Sequence, residues 1–182
     1  MLRSFSILIT IAAILISSVV LAAEVSGVPS GIERDNLHSL SPVRVVVGTP
    51  PEWAHDIGLK QEELESYITS QLAKANIPTA SIGTAGVDQH KGGSLVFVIS
   101  GKVVYVSKTH LAYLVHVSLQ VLQRVRLESD NRLSLAKTWA ESKIGLYGDA
   151  ESAKANIRTC LDMLLTQFIS DYQSANRVGI AH

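Results

Sequence analysis

Residues 48–56, GTPPEWAHD, bring an indole, an imidazole and a carboxylate together within four positions: Trp53, His55 and Asp56. An imidazole beside a carboxylate is the raw material of acid/base catalysis, and an indole is a common anchor for a protein partner. The stretch leaves a β-branched run and enters a helical pattern, a place where α/β domains put function, and Pro50 and Pro51 stiffen it. The plainer role is local, with Trp53 capping the sheet edge against Leu59.

The other reactive residues form no recognisable constellation. His110 and His116 share one face of an alternating stretch but lie six residues apart, about 20 Å along a strand, too far to hold one ion. His38, His55, His90 and His182 lack metal-site spacing, so no metal is expected. There is no G-x-S-x-G elbow, S-x-x-K or H-E-x-x-H. Gly83 to Gly86 and Lys91-Gly92-Gly93 read as turns rather than phosphate cradles. Glu62-Glu63 and Glu151 sit in helix first turns, where the dipole accounts for them. Cys160 has no disulfide partner in the chain and falls at helical spacing from Ile157 and Leu164, as a small core residue does. No cofactor and no catalytic residue is expected.

These residues ride on a chain with an exported outline. Residues 1–22 carry Arg3 and an apolar run from Phe5 to Leu21 and end at Ala22, with Ala23 as the first mature residue, the plan of a signal peptide. An uncleaved anchor is the alternative. Cleavage leaves about 160 residues, enough for one domain with a substantial core. Residues 23–41 are rich in Ser, Gly and Pro without a period and read as a flexible leader; 42–176 form a single α+β domain and 177–182 a tail. With 16 basic and 16 acidic residues in the full chain, neutrality argues against nucleic acid or an anionic membrane surface as the main partner.

Within the domain, Val43–Val47 reads as a strand. The stretch 59–78 reads as an amphipathic helix through Leu64, Ile68 and Leu72, and Ser94–Ser100 as a second strand. Residues 109–128, THLAYLVHVSLQVLQRVRLE, alternate with period two from Leu111 to Leu127, which no helix can do. So long a strand, close to 58 Å at about 3.4 Å per residue, must coil and needs long partners, supplied by 95–106 and 132–145. Ala150–Ala175 is a second amphipathic helix capped by Asp149. The predicted architecture is a mainly antiparallel sheet of about four strands in the order β-α-β-β-β-α, with both helices on one face.

If the helices cover the odd face of the long strand, Leu114, His116, Leu122, Arg124 and Arg126 lie on the open one. Two hairpin registers compete. Pairing numbers that sum to 259 puts Ala140 and Ile144 against the helices and Leu133, Leu135 and Trp139 on the open face. A sum of 260 buries Trp139 opposite Val121, turns Glu141 and Lys143 inward and needs a bulge near Trp139. The first, bulge-free register is expected; it makes Leu114, Leu122, Leu133, Leu135 and Trp139 an apolar patch of the kind that marks an interaction surface, unless a leader or loop covers it.

The order of signal peptide, V-R-V-V-V strand, helix, L-V-F-V strand, long strand ending R-V-R-L, then K-T-W, I-G and a final helix resembles small exported bacterial domains. In outline it is similar to the amino-terminal domain of TolB and to LpoB-like envelope domains. The resemblance covers residues 43–176 and implies a non-catalytic module that binds another envelope or periplasmic protein. The chain lacks the lipidation cysteine of the LpoB pattern. The alternatives are an exported enzyme whose site is assembled from scattered residues, with His55 and Asp56 as its acid/base pair, and a subunit that pairs with its own copy.

Overall fold

The computed structural model describes residues 31–38, 40–80, 92–107 and 110–177. The signal segment, residues 23–30 of the leader and residues 81–91 lie outside the described residues. The elements run α1 (Gly31–Asp35), β1 (Val43–Val47), α2 (Glu52–Asp56), α3 (Gln61–Lys74), β2 (Thr79–Ala80), β3 (Gly93–Tyr105), β4 (Leu111–Arg126), β5 (Leu133–Tyr147) and α4 (Ala150–Arg177).

The α+β class holds, but the sheet is mixed and has five strands, ordered β2-β1-β3-β4-β5. Strands β2 and β3 flank β1 in parallel, whereas β3, β4 and β5 form an antiparallel meander. The parallel half follows from α3. A helix between two strands of one sheet carries the chain back to its starting edge, so β1 and β2 must run the same way. The two-residue β2 is too short to announce itself by period.

The helices lie on one face, over alternate strand residues. Val43, Val45 and Val47 of β1, Leu95, Phe97 and Ile99 of β3, and Val115, Val117, Leu119 and Val121 of β4 are buried beneath Leu64, Ile68 and Leu72 of α3 and Ile157, Leu161 and Phe168 of α4. Asp149 caps α4, accepting from the backbone N–H of Ser152 at 2.7 Å and from its hydroxyl at 2.8 Å. Those bonds hold its carboxyl below the ordinary range.

Part of the stretch read as a leader packs on this core. Leu37 and Leu40 are fully buried. Arg34 Nε donates to Asp171 Oδ1 at 3.2 Å, and Asn36 Nδ2 to the Thr138 carbonyl at 3.3 Å. Leucines spaced three apart in a Ser/Gly/Pro-rich stretch show no run long enough to read as an element.

The hairpin uses both competing registers. Near the turn Arg126 pairs with Leu133 and Leu122 with Lys137, but beyond it Val121 pairs with Trp139 and Leu119 with Glu141. The shift is a bulge at Thr138, whose hydroxyl donates to the side-chain oxygen of Gln123 at 2.5 Å. The expected bulge-free register is thereby corrected. Trp139 faces the helices at 1% exposure, while Ala140 and Ile144 are on the opposite side. The reason is energetic: the indole stacks edge-on against Phe168 at 5.3 Å and donates its Nε1–H to Asp171 at 3.1 Å. Burying that much apolar area with its polar handle satisfied outweighs one interrupted rung.

Candidate functional site

The stretch 48–56 is irregular as far as Pro51 and becomes the short helix α2 from Glu52 to Asp56. Trp53 is half-buried, donates its Nε1–H to the Gly101 carbonyl at 3.3 Å and lies 5.9 Å from the Tyr113 ring. Gly101 has φ +144°, and a Cβ there would sit 2.0 Å from the Leu114 carbonyl oxygen. This corner of the sheet is built around a residue without a side chain. Trp53 thus fastens α2 to the ends of β3 and β4. His55 and Asp56 are exposed neighbours on one helix, where adjacent side chains diverge, so they cannot share a proton.

A groove of about 340 Å³ between α3 and α4 has Leu64 and Leu161 in its walls. Four of its titratable groups are engaged in pairs. Tyr67 donates to Asp162 at 2.5 Å, which raises the phenol above its ordinary range, and Lys60 pairs with Glu63 at 3.2 Å. The Cys160 thiol is pushed up by burial and stays protonated near neutrality. Among the described residues no group of three or more His, Cys, Asp or Glu side chains could hold a metal ion.

The remaining surface is the sheet face turned away from the helices. The pairings set out its rungs: Lys102, Leu114 and Leu146 at one end; Ser100, His116 and Ile144 next; then Val98, Ser118 and Ser142. Val96, Gln120 and Ala140 follow, then Ser94, Leu122 and Lys137, with Arg124 beside Leu135 and Arg126 beside Leu133 at the hairpin end. Among the described residues no helix packs on this face. Leu135 is 65% exposed, Leu133 and Leu146 each 50% and Ile144 38%. Leu114 and Leu122 are half-buried between neighbouring strands.

Of the five residues read as an apolar patch, the structure therefore brings Leu114, Leu122 and Leu135 onto one face with Leu133, and excludes Trp139. Ile144 and Leu146 extend the patch and were missed, because their parity depends on the bulge. The open face carries Arg124 and Arg126, already placed there by the alternation, together with Arg44, Lys102 and Lys137, which were missed; among the described residues no carboxylate projects from it. Among the described residues Arg126 is the one of these five with a side-chain hydrogen-bond partner, Asn131.

No family model matches the chain, and no curated protein matches it. Among solved structures it is similar to a minor lipoprotein from Acinetobacter baumannii, at 10% identity and a TM-score of 0.36, over 73% of this chain and 91% of that one. The likeness does not establish the resemblance to TolB or LpoB domains, and no activity follows from it. Among the described residues no helix is long and apolar enough to cross a membrane.

Proposed function

We propose that the chain is an exported, non-catalytic accessory domain that binds another envelope or periplasmic protein through the open face of its sheet. One observation carries the reading: on a face of three long strands that no described element covers, β4 and β5 present Leu122, Leu133, Leu135, Ile144 and Leu146. Three strands spaced about 4.8 Å apart, over some 46 Å of paired length, offer roughly 650 Å² in projection. That approaches the roughly 800 Å² each partner buries in a standard interface. A charged amino terminus, an apolar run and a small-residue junction support export.

A photo-crosslinking amino acid at position 135, with a second chain labelled at 114, tests the reading in the exporting cell. A discrete adduct with another protein at either position is the expected result. Absence of any adduct at both, from folded and exported chains, would overturn it.

A further inference from the structure

The formal charge of the chain is zero, yet the open face of the sheet is basic and the helix layer on the other face is acidic on balance. Among the described residues the open face holds five basic residues and no carboxylate, whereas the four helices carry ten carboxylates against five basic residues. Among the described residues Arg44, Lys102, Arg124 and Lys137 form no ion pair or side-chain hydrogen bond. We infer that the surface docking on the open face is an acidic protein surface, with carboxylates set to meet these cations between apolar contacts at the two ends. The inference rests on the binding reading above and names the chemistry of its partner.

Charge and geometry sort the possible occupants. A second copy applied face to face would bring five cations against five, a like-charge contact that opposes association. Single-stranded nucleic acid needs aromatic platforms for its bases, and the open face has no Phe, Tyr or Trp among the described residues. An anionic bilayer would welcome the cations. The middle of the face carries polar groups between Val96, Val98 and Ala140, however: Ser118, Gln120, Ser142 and the Ser100–His116 pair, 3.2 Å apart. An apolar layer would desolvate those groups without replacing their hydrogen bonds. A protein surface can answer both features, with carboxylates for the arginines and donors and acceptors for the serines. Arg124 and Arg126 stand two residues apart on one strand, a fixed spacing suited to two-pronged carboxylate contacts. A fluid headgroup layer gains nothing from that spacing.

The experiment uses the full chain with the crosslinker at position 135. The parent is compared with Arg124→Glu/Arg126→Glu/Lys137→Glu and with Lys74→Glu/Arg158→Glu/Arg177→Glu, which reverses as many charges on the helix layer. Thermal melts identify folded variants. The expected result is a protein adduct that falls on the order of ten-fold in the open-face variant and not in the helix-layer variant. As a measurement that needs no variant, the parent's adduct in opened cells should also weaken as NaCl rises from about 0.05 to about 0.5 M, where the Debye length shortens from roughly 14 to roughly 4 Å. An adduct that survives both open-face reversal and salt would overturn the acidic partner and leave the binding reading standing. Crosslinking to lipid in place of protein would overturn both in favour of a bilayer. No adduct would remove the binding reading and the inference with it.

Discussion

Trp139 and Asp171 meet across the interior: the indole Nε1–H donates to the carboxylate Oδ2 at 3.1 Å, on an acid only 2% exposed. The same carboxylate accepts from Arg34 Nε at 3.2 Å and from Gln167 Nε2 at 3.0 Å. One side chain of α4 therefore fixes the register of β5, the seat of α1 and its own helical turn.

Trp139→Phe keeps most of the apolar contact and removes the donor, so it should cost about 1–2 kcal/mol, whereas Trp139→Ala leaves a cavity and should cost about 3–5 kcal/mol. Urea unfolding measures both. A double-mutant cycle with Asp171→Asn should show non-additivity, since the two residues share a bond.

Leu37→Ala and Leu40→Ala should each destabilise the chain by about 2–5 kcal/mol, the range for large-to-small changes at fully buried positions. A free leader would tolerate either change, and the urea midpoint separates the two outcomes.

Glu141 is turned toward the helices at 7% exposure. Burial raises its carboxyl above the ordinary value of 4.5, Asp171 and Glu33 add to the rise, and Lys143 opposes it. The folded state thus favours the neutral acid. Ionisation above the folded pKa works against folding, and that loss is relieved as the pH falls toward the ordinary value. Glu141→Gln should therefore be more stable than the parent at pH 7, with its advantage shrinking on acidification. Paired melts at several pH values check the sign.

Gly101→Ala forces a Cβ against the Leu114 carbonyl at a backbone angle that disfavours side chains. A cost on the order of 2–4 kcal/mol is expected. Because Trp53 hangs from the same residue's carbonyl, its indole should become more exposed, which tryptophan fluorescence of a Trp139→Phe background can read.

Leu135→Ser and Leu133→Ser should stay within about 0.5 kcal/mol of the parent, because both side chains already face water. If the open face is the docking surface, the crosslink at position 114 should nevertheless weaken in the double variant.

Much of this architecture can be read from residue periods. The alternation from Leu111 to Leu127 specifies a half-buried strand, and Leu64, Ile68 and Leu72 specify a helix on its face, since each pattern has one geometry that gathers its apolar positions. The parity of β5 cannot be read that way. One extra residue, Thr138, reverses the facing of everything on one side of it, and only the gain from seating Trp139 against Phe168 and Asp171 decides where it falls. The basic face was hidden for a related reason. Arg44, Lys102 and Lys137 are scattered over three strands and converge only when the pairing is known, while net charge averages them against the helix carboxylates.

That averaging has a practical consequence at the bench. A chain with no net charge is ordinarily expected to pass through ion exchangers near neutral pH. This one presents a sulfonate resin with its sheet and a quaternary-amine resin with its helices, so it should be retarded on both columns in the same buffer, and charge reversals on the sheet should release it from the first alone.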